Sequence, residues 1–224
     1  MMDYSPLFIS LKIALIATFC TFFAGILLAY GVGKLRRGAF LVDAVIMLPM
    51  VLPPTVIGFF LLLLLGKRSL IGELLFNSFD FSIVFTPQAA VIAAFVVSLP
   101  LMYRTARGAF EQLDQNIVAA ARTLGVSEWR IFWRLILPNS WQGILAGTIL
   151  AFTRAVGEFG ATIMFAGNVP GKTQTMSVAI YAAVQANDYD LAKLWAIIIV
   201  IFSVLFLFLL NLTNRRTLLG SKHT

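Results

Sequence analysis

The segment DQNIVAAARTLGVSEWRIFWRLILP, Asp114 to Pro138, decides how the rest of the chain is read. It is the long polar interruption in an otherwise strongly apolar sequence. Asp114 or Asn116 is placed to cap a short helix through Ala119, Ala120, Ala121 and Leu124, and Gly125 falls where a left-handed glycine ends such a helix. Ser127 is placed to cap a second helix through Trp129, Ile131, Phe132, Trp133, Leu135 and Ile136, with Pro138 as its stop. Three consecutive alanines give a small-residue face that permits close approach to another surface. Periodicity alone fits two readings equally: a compact loop packed under a bundle, and a docking element.

The flanks supply the bundle. Of 224 residues, 60% are hydrophobic and 12% charged, with a mean hydropathy of +0.91. A soluble domain carries about 25% charged residues, so the composition excludes an ordinary cytosolic enzyme, a disordered chain and a disulfide scaffold. What remains is an all-α polytopic membrane protein. A bilayer core needs roughly 20 apolar helical residues, and five runs qualify, at about 7–32, 41–65, 87–103, 142–166 and 191–213. The first is not expected to be a cleaved leader: Asp3 precedes it, no basic residue comes before Lys12, and the run is too long for a leader's apolar core. A shorter patch, Met176–Val184, predicts a re-entrant or interfacial helix outside the membrane. Residues 104–141 form the loop between the third and fourth spans.

The net charge of +7 and a pI near 9.9 record orientation rather than nucleic-acid binding. Eleven of the seventeen Lys and Arg fall in the first loop, in 104–141 or in the C-terminal tail. Basic residues collect on the cytoplasmic side, which puts the N-terminus outside and the C-terminus in the cytoplasm. Cys20 is the single cysteine and His223 the single histidine, so neither a disulfide nor a histidine-based metal site is expected. No nucleophile–base constellation is present, which argues against an intramembrane enzyme.

The polar segment carries a resemblance. Ala120-Ala121, Gly125, Leu135, Leu137 and Pro138 are similar, without a gap, to the EAA loop of ABC importer permeases. That pattern runs Glu-Ala-Ala, three residues, Gly, nine residues, Ile, one residue, Leu-Pro. Ala119 stands where the family has Glu, and Leu135 where it has Ile. The resemblance extends over nearly the whole chain and narrows to molybdate permeases. It includes Leu48–Pro54 with Gly58, Ser98–Met102, Arg154–Thr162 and Gly167–Thr175. Sulfate permeases share the Gly-Glu-aromatic-Gly core and Gly-Asn-x-Pro, whereas Phe159–Thr162 and Pro170–Thr173 favour molybdate.

The resemblance implies the ABC importer (MetI-like) permease fold in a bacterial or archaeal cytoplasmic (inner) membrane. It implies a homodimer of permeases, two cytoplasmic ATPase subunits that hold the ATP and Mg, and an external substrate-binding protein. This chain would bind no cofactor and no metal itself, and would contact lipid but no nucleic acid. Ala119, Ala120, Ala121, Leu124, Gly125, Leu135, Leu137 and Pro138 would then form the ATPase-coupling loop. The leading expectation is a molybdate permease. A sulfate or tungstate permease is the alternative, and an ion-coupled secondary transporter is a further one. The last would need an internal repeat and midplane carboxylates. No repeat is evident, and Glu158 is the only carboxylate well inside a run.

Residues within the spans supply the candidate pathway or gate: Pro53, Pro54, Thr55, Arg154, Glu158 and Thr162. Arg154 and Glu158 are an i, i+4 pair at a depth where one charge costs at least ~2.5–3.5 kcal/mol. A place beside the path and a self-neutralising structural pair both fit them. Because a carboxylate repels an oxyanion, Glu158 is expected to set gate packing rather than to bind substrate. Pro53-Pro54 predict a kink, either beside a pore or as a static bend. Asn168, Gly171 and Lys172 are the external-loop candidates. Gly171-Lys172-Thr173 is not a phosphate loop, because only three residues separate Gly167 from Gly171 and no strand precedes it. Gly143 and Gly147 form a Gly-x-x-x-Gly face, suited equally to intrachain packing or to a dimer seam.

Overall fold

Alanine lets the central helices touch. Ala89, Ala90, Ala93 and Ala94 lie on one face of a long helix, and all four are buried. Facing them, Ala14 and Ala17 of the first helix are wholly buried as well. In lipid, helices associate through close van der Waals contact, and small residues allow it. The computed structural model describes residues 3–35 and 37–220; Arg36, Lys222 and His223 lie outside these.

The chain forms α1 (Ser5–Gly33), α2 (Ala39–Val51), α3 (Pro54–Leu65), α4 (Leu70–Phe79), α5 (Pro87–Glu111) and α6 (Gln115–Thr123). It continues as α7 (Glu128–Ile131), a π-helical turn (Phe132–Ile136) and α8 (Leu137–Asn139), which together make one rod. Then come α9 (Trp141–Val156), α10 (Gly160–Phe165), α11 (Met176–Gln185) and α12 (Tyr189–Gly220). Helix α5 packs along both α1 and α9 and forms the axis of the bundle. One apolar core surrounds the N-terminal half of α5 and includes Phe165 and Trp195. A second surrounds its C-terminal half and includes Met102, Ile131, Phe132 and Ile144.

Glycines mark the closest approaches. A Cβ on Gly25 would lie 2.5 Å from Met102 Cγ, and one on Gly143 2.5 Å from Ala109 Cβ. One on Gly147 would lie 3.0 Å from Thr105 Cβ. The Gly143-x-x-x-Gly147 face is therefore spent within the chain, against α5. Thr21 of α1 and Ser98 of α5 share a buried hydrogen bond of 3.1 Å.

Several expectations change. Helices α1, α5 and Tyr189–Phe208 of α12 are each long and apolar enough to cross a membrane. Two bent pairs meet the same measure only when taken together, for up to five spans: α2 with α3, at 114°, and the 128–139 rod with α9, at 72°, the rod itself belonging to the loop between the third and fourth spans. The run at 41–65 is thus broken rather than kinked. The run at 142–166 is also broken, between Val156 and Gly160. Helix α5 runs eight residues past Tyr103 to Glu111, so the loop expected from residue 104 leaves the helix only after 111. The apolar span ends before the helix does, because Arg107 and Glu111 form an i, i+4 pair at 2.8 Å. Pro138 does not stop its helix. The π turn before it shifts the bonding so that Leu137 N–H donates to Phe132 O, and the rod continues to Asn139. Helix α4, capped where Ser69 Oγ accepts from Gly72 N–H at 2.9 Å, was not anticipated.

A joint of two broken helices and an exposed loop

The first break follows from the proline doublet. Each proline disfavours helical geometry at the residue before it. Leu52 (ψ 145°) and Pro53 (ψ 135°) are accordingly extended. Pro54 then occupies the first turn of α3, where a missing N–H costs nothing. Val56 N–H donates to Pro53 O at 2.9 Å.

The second break is organised by Glu158, only 2% exposed. Its Oε1 accepts from Ala161 N–H at 2.8 Å, supplying α10 with an acceptor for an otherwise orphaned donor. Its Oε2 meets the Arg154 guanidinium at 2.5 Å. The Arg154 side chain is 32% exposed, so the pair has one dry end and one open end. The carboxylate works on the backbone of its own chain.

The two breaks meet. A Cβ on Gly160 would lie 2.9 Å from Pro54 Cβ and 3.1 Å from Thr55 N. A Cβ on Gly58 would lie 2.8 Å from Ala161 Cα. The structure therefore brings Pro54 and Thr55 against the start of α10, beside Glu158. Pro53, Thr55 and Gly157 are exposed, whereas Thr162 is buried in the packing. Next to the joint, a groove of about 360 Å³ is lined by Gly157, Phe159, Ser177, Ile180, Tyr181 and Val184.

The segment after α10 is a self-bonded turn. Val169 O accepts from the N–H groups of Lys172, Thr173 and Gln174. The buried Thr173 Oγ1 accepts from Val169 N–H at 3.0 Å. Asn168, Gly171 (φ +73°) and Lys172 stand exposed on its outside. Three of the amides that a phosphate loop would offer to a ligand are thus used internally.

At the other end of the bundle lies the 112–140 loop. Asp114 caps α6, its carboxylate accepting from Asn116 N–H at 2.8 Å. Gly125, at φ +75°, closes the helix. Gly125 N–H donates to Arg122 O and Val126 N–H to Ala121 O, a Schellman pair. Val118 is the buried residue of α6. Ala119 and Ala120 are exposed and Ala121 half-buried. Around them Ile117, Leu124, Trp129 and Trp133 are exposed, Leu124 at 82%. Leu135 and Leu137 are half-buried, so this part of the segment leans on the bundle while Pro138 faces outward.

Two charged clusters escaped the sequence reading. Glu128 pairs with Lys34 Nζ at 2.7 Å and with Arg122 Nε at 2.6 Å. Tyr30 also donates to its carboxylate, at 3.4 Å. The Arg122 guanidinium, then the Lys34 ammonium, hold the Glu128 carboxyl down to about 2. Asp43 meets Tyr103 and Arg107 at the edge of a cavity of about 440 Å³ between α2 and α5. The partners lie 60 or more residues apart, or across a turn, where helical spacing gives no signal. Among the described residues, no group of three His, Cys, Asp or Glu is placed to hold a metal ion.

Apolar helices long enough to cross a membrane, two of them in bent pairs, with a two-helix loop presented at one end, define a polytopic membrane protein. Residues 21–217 match the model of the binding-protein-dependent transport system inner membrane component family, and the chain belongs to that family. It is 40% identical over 209 residues to the putative molybdenum transport system permease protein YvgM of Bacillus subtilis, covering 93% of this chain and 92% of that one. It is 42% identical over 184 residues to the molybdenum transport system permease protein ModB of Escherichia coli, covering 82% and 80%. The fold is similar to an inward-facing structure of the MetNI methionine ABC transporter, with a TM-score of 0.71, 15% identity and 94% of each chain covered.

Proposed function

We propose that this chain is the membrane-spanning subunit of an ATP-driven molybdate importer, working as a homodimer with two ATPase subunits and an external binding protein. The observation that carries the reading is similarity, over most of both chains, to proteins named as molybdenum permeases. The loop supports it. Apolar side chains exposed at Ile117, Leu124, Trp129 and Trp133, beyond the spans, need a protein surface to cover them. Ala119, Ala120 and Ala121 permit the approach, and the ATPase is the partner that the resemblance supplies. The basic excess supports a cytoplasmic place for this end and an outside place for the N-terminus.

In this reading ATP closes the ATPase pair and displaces α6. The displacement reaches the α3–α10 joint and switches the path between inward-open and outward-open. Pro53, Thr55 and Gly157 border the path. Arg154 and Glu158 hold the joint's packing and bind no oxyanion. Thr162 acts from within the packing. Asn168, Gly171 and Lys172 face the binding protein, which carries the selectivity. The experiment is reconstitution in liposomes with the candidate ATPase and binding protein. Uptake of molybdate that requires ATP and exceeds that of sulfate is the expected result. Uptake without any ATPase, or preference for sulfate, overturns the reading.

A further inference from the structure

Helix α6 has a thin attachment to the bundle. Val118 is its one fully buried side chain. Its charged tie runs through a residue outside it. Glu128, the first residue of α7, takes Arg122 of α6 on Oε1 at 2.6 Å and Lys34, just past α1, on Oε2 at 2.7 Å. Arg122 Nη2 also reaches Oε2, at 3.3 Å. Tyr30 of α1 donates to the same carboxylate at 3.4 Å, lies under the Lys34 ammonium at 4.2 Å and packs on the buried Phe132 with ring centroids 4.5 Å apart. One carboxylate thus joins three elements: the foot of α1, some ninety residues upstream, the exposed helix of the loop and the rod leading to α9. The resemblance places no role on Glu128, and Ala119 lacks the carboxylate usual in the family's loop.

We propose that Glu128 is a positioning residue, the strut that passes displacement of α6 to α1 and holds the two at fixed separation throughout the transport cycle. Four acceptor directions on one carboxylate let it hold a guanidinium and an ammonium together. Neither bond alone would fix α6, because a single exposed ion pair yields readily to water. Joined at one anion, the two arms constrain each other. The inference rests on the functional reading above only for the direction of the signal, from ATPase to span.

The test uses the complete reconstituted complex and reads ATP hydrolysed per molybdate imported. In Glu128→Gln, uptake is expected to fall about tenfold while ATPase association and hydrolysis stay near wild type, so the ratio rises. Lys34→Met and Arg122→Met should each act in the same direction, and Lys34→Met combined with Glu128→Gln should be no worse than Glu128→Gln alone. A covalent strut supplies the control. In a Cys20→Ser background, Lys34→Cys with Arg122→Cys should be uncoupled, and a flexible bis-methanethiosulfonate linker that joins α1 to α6 directly should restore the ratio. An unchanged ratio in Glu128→Gln, additive losses in the double variant, or a linker that blocks transport would each overturn the strut. Wild-type complex that imports no molybdate under ATP would instead overturn the functional reading. The linker's effect on ATPase activity then still reports on the strut.

Discussion

The mid-bundle joint and the terminal loop solve opposite problems. At the α3–α10 joint two interrupted helices meet with almost no side chain between them. Gly58 and Gly160 let backbone touch backbone, and Glu158 satisfies a freed amide from within. At the loop, α6 stands away from the bundle with Val118 as its single buried residue and is held by an exposed carboxylate between two cations. The joint resists small changes in volume. The loop is indifferent to volume and sensitive to charge and backbone shape. The proposed mechanism, in which a push on the loop opens a path through the joint, uses both.

That contrast orders the expected effects of substitution. Gly58→Val should be the most damaging, because its first added atom would sit 2.8 Å from both Ala161 Cα and Ala161 O, and backbone cannot give. Overpacking of this kind costs ~1–3 kcal/mol or more. We expect a lowered unfolding midpoint in detergent and no measurable uptake; wild-type stability would mean that the joint is loose. Glu158→Ala should come next. It leaves the Ala161 amide without its acceptor inside the packing, which costs ~1–3 kcal/mol, while water reaches the Arg154 guanidinium, 32% exposed. Glu158→Gln keeps an acceptor for Ala161, so it should preserve the fold and the apparent molybdate affinity while altering ATP use per turnover. Unchanged uptake and coupling in that variant would remove Glu158 from the gate.

Substitutions in the loop should leave the bundle intact. Gly125→Pro cannot adopt φ +75° and loses the donor to Arg122 O. Ala120→Arg places a long cation on the exposed small-residue face. Each should insert in the membrane and lose co-purification with the ATPase; retention by either would move the dock elsewhere. The smallest effect should come from pH. Glu128 is depressed from 4.5 to about 2, so what it contributes is complete above about 4.5 and is lost only as pH falls through about 2. The Glu128 carboxylate raises the Arg122 guanidinium, and Lys34 is raised too against the effect of its burial, so both keep their protons at neutral pH. Molybdate import per ATP should therefore be flat between about pH 8 and pH 5.5. A step in that window would show that another group controls the loop.

How far this could be foreseen depends on how local each cause is. The glycine that ends α6 and the Asp114 cap depend on neighbours in sequence, and both are readable there. The breaks were half readable. Pro53-Pro54 announce a disruption, but a 114° bend needs both prolines to force their predecessors extended, and that a second interrupted span packs against it is a matter of tertiary structure. Hydropathy marks where apolar sequence ends and cannot mark where a helix ends, so two polar turns of α5 were assigned to the loop. Glu128 was invisible because its partners lie across a left-handed turn and some ninety residues upstream.

The π turn at Phe132–Ile136 bears on how the loop's length can vary. A π turn holds one residue more than the α-helical turn it replaces. Elsewhere in a helix, removing one residue swings everything beyond it by about 100°. Here the surplus residue carries Pro138. A single deletion within 132–136 would close the turn to α-helical bonding and drive the Pro138 ring against the carbonyl four residues before it. The length of the rod is thus held by the proline at its end, and a shortened rod would kink or stop before Asn139.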